Sequence, residues 1–544
     1  MNRGGDVLVP TSQMLRAFTI QTSLQSGQEF GQTKKFNLIT ARMKTQNPKP
    51  SAAFSPLATR HLLLAFCLLA SLPWTGCRIG PDYHRPAALG TNSVPNSFSG
   101  LSATNEGEWK IASPAAHLSH GTWWQLFGDD KLNQLELLAS VNSPELAGAL
   151  ARFDQARALI KVSRAQLFPQ IETDPNFNRQ RTSFNAPVNG LPANYTHTYN
   201  TFTLPLQAGW ELDLWGRVRR QVESAQARAT ASGDDLEATK LALQAELATD
   251  YFTLRALDLE YDVLLRTTET YRRSLELTVN RRKGGIATDL DVSQAETQLR
   301  SAEAELPALR LQRTRLVDAL ATLCGQPAST FQLPLAPIEK EEIPARPAGL
   351  PSELLERRPD IAAAEQRMAA ANAQVGVART AFYPRVRFDG LAGFESVSAS
   401  SWFDWPSRLW SVGPTLQLPL FTGGQNRAQL AFSKAAYQET VSTYRQTVLN
   451  AFQEVEDQLA AQRQLKTQLA AEVSAVQAAK RTLEIANNRY KAGLVTYLEV
   501  ATSQSAALSL ERTVVQLRGQ ELVAAIGLIR SIGGGWDASV SAAK

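Results

Sequence analysis

The sequence predicts a mixed α and β membrane protein built from two internal repeats, with long coiled-coil helices and four membrane-spanning β-strands per chain. Three observations lead to this prediction. A long segment recurs in the second half of the chain, apolar residues recur every seven positions, and shorter stretches alternate between apolar and polar residues. These patterns are typical of duplicated units, coiled coils and strands, respectively.

The duplication is recognised from two pairs of matching stretches. The segment "SPELAGALARFDQARALIKVSRAQLFPQI" from Ser143 matches "RPDIAAAEQRMAAANAQVGVARTAFYPRV" from Arg358, and "RRKGGIATDLDV" from Arg281 matches "RYKAGLVTYLEV" from Arg489. Matches at nearly one offset indicate two copies of one unit. The predicted organisation is a leader with export signal at 1–76, an N-terminal lipoprotein segment at 77–128, a first repeat at 129–333, a linker at 334–358, a second repeat at 359–533 and a tail at 534–544.

The stretch 217–283 predicts a very long helix. It contains no Pro, and Leu247, Leu254 and Tyr261 recur every seven residues, which is coiled-coil spacing. At about 1.5 Å per residue such a helix would reach roughly 100 Å. The helices alone would also suit an ordinary helical bundle or filament.

Four extended stretches argue against a purely helical protein. "TFTLPLQAGWELDLW" from Thr201 alternates between apolar and polar residues, which predicts a strand. "PRVRFDGLAGFESV" from Pro384 and "LWSVGPTLQLPLF" from Leu409 repeat this pattern, and "QIETDPNFNRQRTSF" from Gln170 follows it less regularly. Strands of about ten residues with one apolar face and terminal aromatic residues are typical of membrane β-barrels.

Four strands cannot stand alone in a membrane. Unpaired backbone groups are not tolerated in hydrocarbon, so membrane strands must close into a barrel, and about eight strands are needed even for a packed interior. Several chains must therefore share one barrel. Three chains would supply twelve strands around a polar lumen.

The net charge does not indicate a nucleic-acid partner. The formal charge is +5, but residues 1–76 contain eight Lys/Arg and two Asp/Glu, so 48 basic and 49 acidic residues remain without them. The basic excess therefore belongs to the predicted leader.

The leader has the layout of an export signal. From Met43, the expected start, "MKTQNPKPSAAFSPLATRHLLLAFCLLASLPWTGC" places basic residues before an apolar run and ends it at Cys77. The run is shorter than the roughly 20 apolar residues of a membrane-spanning helix. Cys77 follows Gly76 at the position where bacterial lipoproteins are acylated, although Trp74 replaces the usual Leu. An acylated Cys77 would hold the chain at a membrane face through burial of its acyl group in lipid.

Nothing in the sequence indicates an enzyme or a cofactor. The mature chain would retain Cys77 and Cys324, which excludes a disulfide framework and a Cys-rich metal site. The five histidines have no partners at metal-ligand spacing, and no phosphate loop or nucleophile elbow is present.

Several motifs resemble the outer-membrane efflux proteins, in the lipoprotein branch of the TolC-like outer-membrane factors. They are "GCRIGPDYHRP", "WWQLFGDDKL", "WELDLWGRVRR", "LFTGGQNRAQL" and "GGGW". The resemblance implies a homotrimeric channel-tunnel with a twelve-strand barrel in the outer membrane and a helical barrel in the periplasm. It also implies docking onto a periplasmic adaptor and an inner-membrane pump of the resistance-nodulation-division type. A type I protein secretion channel is the alternative with the same fold.

In this resemblance the two matching turns become the periplasmic tips of two helical hairpins, with Gly285 and Gly493 in the left-handed conformation that ends a helix. The family closes its tips with a bond between a Tyr before the second turn and an Asp after the first, together with acidic rings on the following helix. The matching residues are Tyr490, Asp291 and Glu499.

The second acidic ring position is Thr502, and Val495 replaces a basic residue that some members use. The residues alone leave another interpretation open, in which Tyr490 packs between helices and Asp291 is a first-turn acid favoured by the helix dipole.

Overall fold

The computed structural model describes residues 77–89, 122–185, 196–336 and 357–534. The predicted leader, the start at Met43, most of the predicted linker and nearly all of the predicted tail lie outside the described residues. The helices and strands are, in chain order, α1 (Asp130–Asn142), α2 (Pro144–Ala165), β1 (Gln170–Thr173), β2 (Asn176–Arg181), β3 (Thr198–Leu212), α3 (Arg217–Lys283), α4 (Asp289–Leu323), α5 (Pro359–Thr380), β4 (Arg385–Ser396), β5 (Arg408–Gln417), α6 (Gln425–Lys491) and α7 (Tyr497–Ser531).

Helices of the same three lengths occur in each half of the chain. Helices α2 and α5 have 22 residues, α3 and α6 have 67, and α4 and α7 have 35. Helix α3 occupies the Pro-free stretch for which the sequence predicts a long helix. Each 67-residue helix starts after a glycine with positive φ, Gly216 or Gly424, and has basic residues in its last turn, where they complement the helix dipole.

The strands form one antiparallel sheet in which β3 pairs with β4, and β4 with β5. The sequence predicts a single strand near Gln170, but the structure has two segments, β1 and β2, that both pair with β3. The break falls at Asp174 and Pro175, because proline has no N–H to donate to a neighbouring strand. The five segments therefore occupy four positions across the sheet.

The helices continue the order of the strands. Helix α2 packs on α3, α3 on α5, and α5 on α6, so these four helices form a row. Helix α2 leads into β1, β3 into α3, α5 into β4, and β5 into α6. The row and the sheet consequently end on the same two sides, with α2 and β1/β2 on one side and α6 and β5 on the other.

The largest apolar core lies near the middle of the long helix α3. There α1 and the short 3-10 helix Trp123–Phe127 pack against α3, α4 and α7. Asp129 caps α1 by accepting from the N–H of Leu132 at 3.0 Å, and it also accepts from the hydroxyl of Tyr251 on α3 at 2.5 Å. This core fixes the long helices relative to one another far from the sheet.

The segment 77–89 is held against the helices near the sheet. The fully buried guanidinium of Arg220, on α3, donates to the carbonyl oxygens of Ile79 at 3.2 Å and Gly80 at 3.1 Å, and pairs with Asp82 and Glu223. The N–H of Ile79 donates to the carbonyl of Trp215 at 3.1 Å. The segment therefore meets the chain where β3 passes into α3.

Among the residues that the structure describes, no helix combines the length and the apolar composition required to cross a membrane.

We predict that Arg220→Met will release the segment 77–89. A hydrogen bond to a charged group contributes about 1.5–3 kcal/mol, and methionine removes several at once while preserving much of the volume. The measurement is the rate of tryptic cleavage after Arg78 in folded protein, which we expect to increase. Arg266→Met is the control, because Arg266 is largely exposed and pairs with its neighbour Asp262. Equal cleavage rates in both variants would show that Arg220 does not hold the segment 77–89 in place.

Candidate functional site

The two helical hairpins end in turns of the same geometry. Gly285 has φ 71° and Gly493 has φ 77°, in the left-handed region where glycine is favoured. The N–H of Ile286 donates to Arg281 O at 2.9 Å, and the N–H of Leu494 donates to Arg489 O at 2.9 Å. These are the backbone bonds of a Schellman motif, which satisfies the last carbonyls of a helix.

The carboxylate of Asp291 joins the two hairpins. One oxygen accepts from the N–H and the hydroxyl of Thr288, both at 2.9 Å, and this completes a capping box at the start of α4. The other oxygen accepts from the N–H of Tyr497 at 3.1 Å. Tyr497 is the first residue of α7, whose own N-cap, Thr496, makes no side-chain capping bond. Asp291 thus satisfies backbone donors at the start of both returning helices.

These contacts also determine the ionisation of Asp291. Burial acts to raise the pKa of the carboxyl, but the hydrogen bonds from Thr288 and Tyr497 and the positive charge of Arg281 hold this pKa below the ordinary value for aspartate. The carboxylate is therefore charged at neutral pH.

Tyr490 is buried between the hairpins. Its hydroxyl donates to the hydroxyl oxygen of Thr278 on α3 at 3.4 Å, and its ring meets that of Tyr497 edge to face at 5.5 Å. The resemblance leads one to expect a bond between Tyr490 and Asp291. Within the described chain the two residues make no direct hydrogen bond, because the hydroxyl of Tyr490 donates to Thr278 instead. Tyr497 links them indirectly, through its backbone and its ring.

Arg281 is a second link between the hairpins, and the sequence reasoning missed it. Its Nη1 donates to the carbonyl of Lys491 at 2.9 Å, and its Cζ lies 4.9 Å from the centre of the Tyr490 ring. The signal that could have identified it is its match with Arg489 in the repeated turn. A cation at the end of α6 also complements the helix dipole.

Glu499 and Thr502 lie on the exposed side of α7. Glu499, which matches Asp291 in the repeat, does not cap its helix but pairs with Arg489 across the turn at 3.1 Å. The hydroxyl of Thr502 donates to the carbonyl of Leu498 at 2.6 Å. Position 502 therefore carries no charge, and Arg489 of the same chain partly offsets the negative charge of Glu499.

Both tips also expose pairs of large apolar side chains. Ile286 and Leu290 in the first tip match Leu494 and Leu498 in the second, and all four are largely exposed. Exposed apolar groups in a contiguous region are typical of interaction sites.

Cys77 is exposed, two residues before the bond between Ile79 and Trp215, and so lies near the junction of sheet and helices. Cys324 is buried, and burial together with the nearby Glu136 raises the pKa of its thiol to about 11. Neither cysteine forms a disulfide, and the described part of the chain contains no group of three or more potential metal ligands.

Comparison with known proteins places these features in a family. The sequence profile of the outer membrane efflux protein family matches twice, at residues 137–326 and 350–534. Outer membrane protein OprJ of Pseudomonas aeruginosa is 33% identical over 479 residues, which cover 86% of this chain and 95% of OprJ.

Two solved structures are similar along nearly their whole length. The outer-membrane channel OprN superposes with a TM-score of 0.75 at 31% identity and covers 85% of this chain and 100% of its own. The open state of the Neisseria gonorrhoeae MtrE outer membrane channel gives 0.72 at 28% identity, with 84% and 98% covered. Because the family profile matches more than half of the sequence, the chain belongs to the outer membrane efflux protein family and is a protein of the outer membrane.

Proposed function

We propose that three copies of this chain form the outer-membrane channel-tunnel of a tripartite efflux system, working with a periplasmic adaptor and an inner-membrane pump. The sheets would close a twelve-strand barrel in the membrane, and the long helices would continue it as a helical barrel into the periplasm. The channel transports its cargo without a catalytic step or a cofactor. The family is described as outer membrane efflux proteins, and the similar structures OprN and MtrE are outer-membrane channels, which favours efflux over type I protein secretion.

The open sides of the chain are the observation that carries this proposal. The sheet ends at β1/β2 on one side and at β5 on the other, and neither edge pairs with another described strand. Edge strands with free backbone groups cannot stand in hydrocarbon, and four strand positions are too few to close on themselves. Further copies of the same sheet would satisfy both edges at once.

The apolar face of the sheet supports a membrane position. Trp410, Val412 and Leu416, at alternate positions on β5, are largely exposed, as are Ile171 and Phe177 on the opposite edge. Alternation of this kind suits a strand with one face towards lipid and the other towards a polar lumen. Twelve such strands enclose a space wider than packed side chains fill.

The gate would lie at the six hairpin tips of the trimer. Asp291 and Tyr490 hold the two hairpins of a chain together, while Glu499 and Thr502 lie on the exposed side of the same tips. The matched apolar residues Ile286, Leu290, Leu494 and Leu498 would receive the adaptor. Adaptor binding would favour the open state by as much as its affinities for the two states differ.

Cys77 would be acylated and inserted in the inner leaflet of the outer membrane. Its position near the junction of β3 and α3 supports this, because the sheet enters the membrane there under the present proposal. Lipid anchors bind a membrane less firmly than an inserted membrane-spanning segment, so the barrel would provide most of the membrane affinity.

We predict that Asp291→Ala together with Tyr490→Phe will raise the single-channel conductance in planar bilayers. A hydrogen bond to a charged group contributes about 1.5–3 kcal/mol, so loss of the Asp291–Tyr497 bond between hairpins in three chains would weaken the closed state by several kcal/mol. The expected change is a several-fold higher conductance with unchanged trimer yield.

Asp289→Ala is the matched control for this measurement. Asp289 is an exposed acid of the same turn that pairs with Arg282 of its own hairpin and does not bond the second hairpin. We expect its conductance to equal that of the wild type. If the double variant forms an intact trimer and keeps wild-type conductance, contacts other than those of Asp291 and Tyr490 hold the channel closed.

We predict that Cys77→Ser will abolish labelling by a radioactive fatty acid and leave the protein in the outer membrane. The anchor adds to the barrel rather than replacing it. The measurement combines labelling with mass spectrometry of the mature N-terminus. An unmodified Cys77 in the mature wild-type protein would refute the lipid anchor.

A further inference from the structure

The equal helix lengths allow residues in the two halves to be matched. Pro144 begins α2 and Pro359 begins α5, so matched residues in these helices lie 215 positions apart. Arg217 begins α3 and Gln425 begins α6, so matched residues in the long helices lie 208 positions apart.

Contacts within the chain support this matching. A Cβ atom added to Gly233 of α3 would lie 3.1 Å from the ring of Phe153 on α2. The matched residues are Val441 of α6 and Met368 of α5, which belong to one buried cluster. A large residue against glycine in one half thus corresponds to two medium-sized residues in the other. The α2–α3 and α5–α6 contacts are therefore equivalent.

A different contact joins the two halves, between α3 and α5. Ser224 Oγ donates to the carbonyl of Ala370 at 3.0 Å and accepts from Gln374 Nε2 at 2.9 Å. Arg367 and Asp235 form an ion pair at 2.5 Å on the same two helices. The equivalent of this contact would join α6 to α2. These two helices stand at opposite ends of the row, so the equivalent contact requires a second chain.

The residues that match Ser224 and Gln374 are apolar and exposed. Phe432 matches Ser224 and is 68% exposed, and Leu159 matches Gln374 and is 59% exposed. Arg152 and Thr443 match Arg367 and Asp235, and these two cannot form an ion pair. At Leu159 and Phe432 the open sides of α2 and α6 are thus apolar, whereas the matched residues inside the chain, Gln374 and Ser224, are polar.

We propose that Leu159 of one chain packs against Phe432 of the next, and that this pair marks the helical seam between subunits. The inference rests on the proposed trimer and specifies its interface. The partner of these two helix sides is a second copy of the chain. The open side of α2 lies on the same side as the β1/β2 edge, and that of α6 on the same side as the β5 edge, so copies whose sheet edges pair also bring α2 and α6 together. Two large apolar side chains on matching faces lose solvent contact together when the ring closes.

Cysteine cross-linking of the full-length protein in its membrane tests the seam. The variant Leu159→Cys with Phe432→Cys should give covalent dimers and trimers on denaturing gels after treatment with a short bismaleimide, whereas each single variant should give none. Leu137→Cys with Phe432→Cys is the control, since Leu137 on α1 is similarly exposed but lies outside the seam. This pair should remain monomeric.

Failure of the seam can be distinguished from failure of the proposed function. One outcome is that native mass spectrometry shows a trimer while the Leu159 and Phe432 double variant links within one chain or not at all. In that case the Leu159–Phe432 contact is wrong, but the proposed trimeric channel is unaffected. If the wild type is not a trimer, the proposed function itself fails.

A second measurement does not depend on cross-linking. Phe432→Ser should lower the temperature at which the trimer dissociates. Adding Leu159→Gln should restore part of the loss, because it recreates between chains the polar pair of Ser224 and Gln374. Unchanged dissociation in Phe432→Ser, or no recovery in the double variant, would overturn the proposal.

Discussion

The structure depends on one constraint, which is that the backbone groups at both edges of a four-position sheet need partners. Within the described chain β1/β2 and β5 each have one neighbouring strand. A strand edge can remain open in water, where its N–H and C=O groups bind solvent, but not in hydrocarbon. Because each of the four strand positions adjoins a helix at the same place in the row, partners that satisfy the sheet would also align the helices. In the proposed trimer, ring closure in the membrane and tunnel formation below it would then be one event.

The far end of the helices is organised by a different principle. The tips are tied within the chain, by the Asp291 carboxylate to the start of α7 and by the Arg281 guanidinium to the end of α6. Each of these groups satisfies backbone atoms that a helix end leaves unpaired. The same groups that end the helices therefore couple the two hairpins, and loosening one tip also exposes unsatisfied backbone groups in the other.

Much of the fold could be predicted from local patterns. The long helix α3 has the predicted bounds because 217–283 lacks proline and is flanked by Gly216 and Gly284. Strands β3, β4 and β5 follow the alternation of apolar and polar residues. The break between β1 and β2 was missed, although Asp174 and Pro175 carried the signal for it.

The residues of the candidate site could be named from the sequence, but their contacts could not. The repeated turn pointed to Gly285 and Gly493, and the family resemblance pointed to Asp291 and Tyr490. The partners Tyr497, Thr278 and Arg281 come from the other hairpin, more than 200 positions away, and depend on how the two hairpins pack. The pairing of Glu499 with Arg489 likewise depends on the path of the turn between them.

Electron cryomicroscopy of the protein in lipid nanodiscs would show directly whether copies of the sheet close into one barrel. We expect a threefold particle in which β5 of each chain pairs with β1/β2 of the next, closing a barrel of twelve strands above a helical tunnel. A particle with another number of chains, or one whose sheet edges remain unpaired in the bilayer, would contradict this expectation.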